Sequence, residues 1–258
     1  MKTIRQLTTE LRDLGVRGGG VLLVHTSFRA VRPVEDGPAG LIAALREAVG
    51  PDGTLVMPSW TADGDAAFDP ATTPAAADLG VTADTFWRMP DVMRSDHPFA
   101  FAAAGPLAAR ITADPLPLPP HRPDSPVGRV HDADGQVLLL GVNHDANTTI
   151  HLAELLAGAP YRVPKHVTVL RDDAPARIDY GENDHCCARF ALVDRWLDER
   201  GMQEHGTVGS ARARLARSRD VVNTVVRVLR REPLVFLHED GEHCGECDEA
   251  RASVSPLT

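Results

Sequence analysis

A chain of 258 residues with 43% hydrophobic and 24% charged residues has enough apolar surface for one large buried core, at the upper end of what a single core supports. Its formal charge of −9, from 27 basic and 36 acidic residues, excludes the basic footprint that nucleic-acid binding requires and suits a cationic small-molecule partner. No stretch approaches the roughly 18 consecutive apolar residues of a membrane span, and the N-terminal segment lacks the continuous apolar core of a secretory signal, so a cytoplasmic protein without membrane contact is expected.

Ile4, Leu7, Leu11 and Leu14 recur at helical spacing among charges, predicting an amphipathic first helix. Gly18-Gly19-Gly20 ends it, and the short apolar run Val21-Leu22-Leu23-Val24 reads as a buried parallel strand. Asp36-Gly37-Pro38 starts a second helix, whose apolar stripe runs from Leu41 to Val49. Gly50-Pro51-Asp52-Gly53 stops it before the strand Thr54-Leu55-Val56-Met57, which completes a β-α-β unit. Residues 61–80 and 113–126, the latter holding Asp114-Pro115-Leu116-Pro117-Leu118-Pro119-Pro120-His121, read as long functional loops.

The strand Val137–Val142 leads through the polar turn Asn143–Thr149 into a helix ending near Gly158, an arrangement in which α/β proteins place ligands. Two antiparallel strands, Val167–Leu170 and Ala176–Tyr180, then precede helices near 184–199 and 209–230 and a strand over Pro233–His238. The expected fold is a single α/β domain over residues 1–258. It has a mixed parallel and antiparallel sheet with helices packed around it, and 165–258 forms a more antiparallel and helical portion.

In the helix after Asn147, His151 and Glu154 are three residues apart and so share one face. That spacing suits a histidine base steered by a carboxylate, which fixes the tautomer and favours the imidazolium. The bland alternative is an ordinary helix-surface pair. Cys186-Cys187 and Cys244-x-x-Cys247 form two ligand pairs with His185, His238 and His243 nearby. They fit one structural Zn²⁺, buried free thiols or a redox pair.

Leu22-Leu23-Val24-His25-Thr26-Ser27-Phe28-Arg29, Gly53-Thr54-Leu55-Val56-Met57-Pro58-Ser59, Arg94-Ser95-Asp96-His97-Pro98, Ser125-Pro126 and Thr149-Ile150-His151-Leu152-Ala153-Glu154 occur together and in order. This ordered set resembles the aminoglycoside 3-N-acetyltransferase family, its class IV branch most closely, from about residue 15 to 250. The resemblance extends over Glu182-Asn183-Asp184-His185-Cys186-Cys187 and Cys244-Gly245-Glu246-Cys247. It implies an antibiotic N-acetyltransferase-like fold and direct acetyl transfer from acetyl-CoA to the 3-amino group of a 2-deoxystreptamine aminoglycoside. His151 would then be the base, Glu154 its orienting partner, and antibiotic resistance the outcome.

An aminoglycoside amine is mostly ammonium at neutral pH and attacks only after losing a proton. The turn at Thr26 and Ser27 presents hydroxyls and N–H groups as an anion-binding turn does. The resemblance assigns this turn to acetyl-CoA, with Ser95, His97 and Ser125 as further contacts. A polycationic acceptor calls for free carboxylates, for which Asp179 stands first, then Asp63 and Asp65, with Glu182 and Asp184 beside them. Cys186, Cys187, Cys244 and Cys247 are the expected metal ligands, in a structural role, and a monomer is the expected state. Two readings from other classes compete: a zinc-dependent hydrolase using the His/Cys cluster, and a non-enzymatic binding module.

Overall fold

The computed structural model describes residues 1–61, 63–113, 118–172, 174–239 and 241–254. The Asp114–Pro117 part of the proline-dense loop lies outside the described residues. Three short apolar runs form the parallel centre of the sheet, as expected: β1 (Val21–Thr26), β2 (Thr54–Pro58) and, after two further strands, β5 (Gln136–Leu140). β1 lies in the middle and pairs in parallel with β2 on one side and β5 on the other. Antiparallel strands β3 (Met93–Arg94) and β4 (Phe101–Ala104) extend the β2 side, giving the order β3-β4-β2-β1-β5 from that edge.

The strands are buried on both faces because helices cover both, so alternate residues enter different cores. Leu22, Val24, Leu55, Met57, Leu138 and Leu140 meet α1 (Ile4–Asp13), α2 (Phe28–Val31), α3 (Gly37–Val49) and α4 (Gly80–Trp87). Val21, Leu23, Val56, Val137 and Leu139 meet α5 (Ala108–Ile111), α6 (Pro126–Asp132) and α7 (Thr149–Ala157) on the opposite face.

A separate two-stranded ribbon follows, β6 (Val163–Arg171) with β7 (Ala174–Glu182), longer at both ends than the alternation in sequence suggests. Its bridge from Val169 to Phe68 ties it to the first long loop, and Phe68 is buried there. Arg94 anchors the same loop, donating to the Thr73 carbonyl at 2.6 Å and lying over the rings of Phe68 and Trp87.

The C-terminal portion departs from expectation. The 184–199 helix is shorter, a 3₁₀ turn over Ala188–Ala191 leading into α8 (Leu192–Asp198). The 209–230 helix begins only at α9 (Ser218–Leu229). Before it, β8 (Gln203–Val208) and β9 (Ala211–Arg217) form a hairpin that pairs with β5 and completes the seven-stranded sheet. Alternation was present in Ala211-Arg212-Ala213-Arg214-Leu215, but Ala, Arg and Leu are all strong helix formers. The expected strand over Pro233–His238 is a run of turns, with Phe236 and Leu237 buried by tertiary packing alone. α10 (Gly245–Ala252) closes the chain against Tyr161 and Val163. Among the described residues, no helix is long and apolar enough to cross a membrane.

The chain leaves β1 toward β2 on one side and returns to β5 on the other. The loops after the three parallel strands therefore diverge at their carboxyl ends and leave a crevice, the usual ligand position in such sheets. Gly141 follows β5 at φ 72°, where a Cβ would stand 2.5 Å from that of Ala30. Only glycine lets the β5 exit pass α2 this closely.

Candidate active site

α7 starts where Asn147 accepts the Thr149 N–H through its side-chain oxygen at 3.1 Å, and ends at Gly158 in the left-handed conformation. Ile150, Leu152 and Ala153 face the core with α9. The opposite edge of the helix presents His151 and carries Glu154 inward to zero exposure.

A carboxylate so placed must be fully hydrogen-bonded or protonated. Glu154 has three partners. His151 Nδ1 lies 2.7 Å from Oε2, His185 Nε2 2.9 Å from Oε1, and the Tyr161 hydroxyl donates to Oε1. Burial alone would raise its pKa, but the bonds from His151 and His185 hold it at about 2, so it is ionised. It then accepts the Nδ1–H of His151 and leaves Nε2 pointing outward. Cys187 Sγ lies 3.6 Å from that nitrogen. Burial opposes charge on His151, yet Cys187 and Glu154 together lift its pKa well above 6.5. Phe190 packs edge-on against both His151 and His185 with centroids 5.0 Å away, fixing the rings from the core side.

Two cavities meet at His151. The first, about 300 Å³, lies in the crevice at the strand ends and is lined by His25, Thr26, Pro58, Trp60, Asn147, Thr148, His151 and Cys187, with Asp78 and Asp145 also on its wall. The second, about 250 Å³, is lined by Trp60, Phe99, His121, Thr148, His151, Lys165, Glu182 and Asp184. Trp60, Thr148 and His151 belong to both, so a group held in either cavity can reach the imidazole.

In the second cavity His121 stacks on His151 with centroids 4.9 Å apart, and its Nδ1 lies 3.7 Å from Glu182. Burial lowers the His121 pKa, so it is neutral. Burial would raise Glu182, but His121 and the Tyr180 hydroxyl at 3.1 Å keep it ionised. Lys165 pairs with Asp184 on the rim. Burial, reinforced by repulsion from His121 and His144, depresses His25 to about 3, so the imidazole beside Thr148 is neutral as well.

The residues expected from sequence are distributed unevenly. Thr26 lines the first cavity with a buried hydroxyl that has no hydrogen-bond partner among the described residues. Ser27 is half-buried next to it, outside the lining, and its N–H donates to the Leu140 carbonyl. Ser95 departs from expectation: it is fully buried, and its hydroxyl closes the β3–β4 turn by accepting the Phe101 N–H at 2.9 Å. Ser125 is likewise fully buried and caps α6 through the Gly128 N–H. His97 is buried with Nδ1 accepting the Phe99 N–H, and burial lowers its pKa to about 4. None of these last three lines either cavity.

On the acceptor side, Glu182 and Asp184 line the second cavity. Asp179 does not, because the pleat turns it to the opposite face of β7 from Glu182, where it is exposed and paired with Arg177 at 3.0 Å. Asp65 of the first long loop reaches His166 on β6 at 2.7 Å, and Asp63 caps its own turn through the Asp65 and Ala66 N–H groups.

The cysteines need a correction. Cys186, Cys244 and Cys247 converge with His238, their ligand atoms all within 4.8 Å of one another, while Cys187 points instead to His151. Adjacent residues aim in different directions here because Cys187 turns into the left-handed region at φ 57°. Neither cluster of potential metal ligands among the described residues contains His151. Sequence reasoning missed Tyr161, His121, Trp60, Phe99 and Lys165 as site residues, and it set Cys187 at the metal and His185 beside it, where the structure turns Cys187 to His151 and His185 to Glu154. A signal existed only in part: the polar run Asn183-Asp184-His185-Cys186-Cys187 after a strand marks a loop with function.

The sequence profile of the family described as aminoglycoside 3-N-acetyltransferase matches residues 23–230. Aminoglycoside N(3)-acetyltransferase IV from Salmonella sp is 66% identical over 90% of this chain and 89% of its own length. Among solved structures, a histidine-to-alanine variant of aminoglycoside acetyltransferase AAC(3)-IVa in complex with a gentamicin superposes with a TM-score of 0.96 at 63% identity, covering 98% of this chain and 99% of that one. AAC-IIIb in a binary complex with CoASH gives a TM-score of 0.83 at 28% identity, over 90% and 97% of the two chains.

Any reaction in which His151 takes a proton requires the imidazole to be free first. Because its pKa is raised, kcat/KM should climb with pH along a limb centred above 6.5. A steady-state pH profile checks this, and a limb centred at or below 6.5 contradicts the geometry.

Proposed function

Since the chain belongs to the aminoglycoside 3-N-acetyltransferase family, we propose that it transfers acetyl from acetyl-CoA directly to the 3-amino group of a 2-deoxystreptamine aminoglycoside, with His151 as general base. The observation that carries this reading is the placement of His151, oriented by ionised Glu154, on the wall shared by two cavities of different character. Acetyl-CoA is assigned to the first, where Thr26, Asn147 and Thr148 offer hydroxyl and amide groups. The aminoglycoside is assigned to the second, where Glu182 and Asp184 supply negative charge for an ammonium-rich molecule.

The acceptor amine gives up a proton toward Nε2 as its lone pair reaches the thioester carbon. Glu154 stabilises the imidazolium that results. Trp60 and Phe99 wall the acceptor side with apolar surface, limiting water beside the thioester. Holding both reactants in line supplies several kcal/mol, up to about 7–11 in the best intramolecular cases. Gentamicin and apramycin are the expected acceptors, consistent with the gentamicin complex of the AAC(3)-IVa variant. Asp63, Asp65 and Asp179 remain candidates for outer contacts to the far rings. His97, Ser95 and Ser125 would serve the cofactor by holding its walls, and Ser27 by its backbone. The protein acts as a cytoplasmic monomer.

Cys186, His238, Cys244 and Cys247 are proposed to hold a structural Zn²⁺. Thiolates about 2.3 Å from a tetrahedral zinc stand about 3.8 Å apart. Cys186 and Cys247 are separated by 3.7 Å, and each sulfur is 3.5 Å from His238 Nδ1. Without a cation, burial holds the Cys186 thiol at about 12, while the Cys247 N–H and His238 bring Cys244 to about 7. The metal would therefore displace a proton from a reluctant thiol and fasten α10 to the turn that carries Cys187.

Purified protein should release CoA from acetyl-CoA when given gentamicin or apramycin, and His151→Ala should lower turnover by about 10²–10⁴-fold while calorimetry still detects antibiotic binding. No CoA release across both antibiotics would refute the transferase assignment, and near wild-type turnover of the variant would remove His151 from the chemistry. Chelation should lower the melting temperature with loss of one zinc per chain, and protein that stays folded should keep its turnover. A turnover that vanishes and returns with metal would favour the hydrolase-like alternative, and an unchanged melting temperature would remove the structural role.

A further inference from the structure

Cys187 is unaccounted for by direct transfer. It belongs to the lining of the cavity assigned to acetyl-CoA, and its sulfur lies 3.6 Å from the Nε2 of His151, whose Nδ1 is 2.7 Å from the buried Glu154 carboxylate. A thiol, an imidazole and an orienting carboxylate in that order are the parts of an activated cysteine nucleophile. The backbone places it with some strain: Cys187 sits at φ 57°, an angle that crowds the Cβ of any residue but glycine, at the head of the Ala188–Ala191 turn. Its N–H is tied to His185 Nδ1 at 3.1 Å, which holds that conformation in place. His185 in turn shares the Glu154 carboxylate.

We propose that Cys187 is an acyl-accepting nucleophile that gives this enzyme a second activity, the cleavage of acetyl-CoA without an aminoglycoside. The proposal rests on acetyl-CoA occupying the cavity that Cys187 lines. Cys187 Sγ attacks the acetyl carbon, a new S–C bond forms and the bond from that carbon to the CoA sulfur breaks. The thiol proton passes through His151 Nε2 to the departing CoA thiolate. One thioester replaces another, so no oxidant or energy source is needed, and the acetyl-enzyme accumulates when acetyl-CoA exceeds CoA. Water then releases acetate slowly, with His151 again taking and returning the proton.

The test incubates the full-length protein with acetyl-CoA and no aminoglycoside, follows CoA by chromatography, and maps acetylated peptides by mass spectrometry. The expected result is a burst of about one CoA per chain and one acetyl group on Cys187, removed by hydroxylamine. His151→Ala should lose the label. The observation on the wild-type protein stands even if Cys187→Ala fails to fold. An unlabelled chain, or acetyl on Cys186, Cys244 or Cys247, overturns the proposal. A parallel sample with apramycin separates the two levels: CoA release there alongside an unlabelled Cys187 refutes only the second activity, whereas no release in either sample also removes the transferase assignment.

Discussion

One buried carboxylate organises this molecule. Glu154 has no solvent to stabilise its charge, so its ionised state depends on three donors arriving from three places: His151 on the same helix, Tyr161 just after it, and His185 beyond the β6–β7 ribbon. Moving an unpaired carboxylate into such surroundings costs several kcal/mol. The requirement therefore couples the helix, the ribbon and the following turn, because a shift of any one of them strands a charge. That is the physical reason His151 is held with Nδ1 toward Glu154 and Nε2 toward Cys187.

The sheet supplies the place and the loops supply the chemistry. Three parallel strands end side by side, and their exits diverge around β1, opening the crevice that holds the first cavity. The ribbon stands apart from the main sheet and contributes the second cavity's charge through Glu182 and, with the turn after it, Asp184. His151 lies between them because α7 begins at the mouth of the crevice and its first turn lines both cavities. The same turn that delivers His185 carries Cys186 toward His238 and Cys187 toward His151, so the C-terminal cysteine cluster and the active site share one piece of backbone.

How much of this was legible depended on whether the determinant was local. The runs at 21–24, 54–57 and 137–142 gave the parallel strands because both faces are buried and glycine-rich stops bound them. His151 and Glu154 were readable because three-residue spacing on a helix is a contact. The β8–β9 hairpin was hidden by Ala, Arg and Leu, whose helical preference was overridden by pairing with β5. Ser95 and Ser125 were assigned to acetyl-CoA by the family resemblance, and each hydroxyl accepts a backbone N–H instead of lining a cavity. Asp179 lies on the face of β7 opposite Glu182, a difference of register that the alternation in sequence did not resolve. His238 in place of Cys187 needed the third dimension, since nothing in adjacent cysteines tells that a left-handed residue will send them apart.

Glu154 fixes the tautomer of His151 and, together with Cys187, favours its charged form; this is tested most directly by titrating the His151 imidazole by NMR in the wild type and in Glu154→Gln. The amide keeps the shape while removing the charge and turning a donor toward one of its former partners. The expected result is a midpoint above 6.5 in the wild type, a clear fall in the variant, and a tautomer no longer held to Nδ1–H. A midpoint that does not move on losing the carboxylate would contradict it.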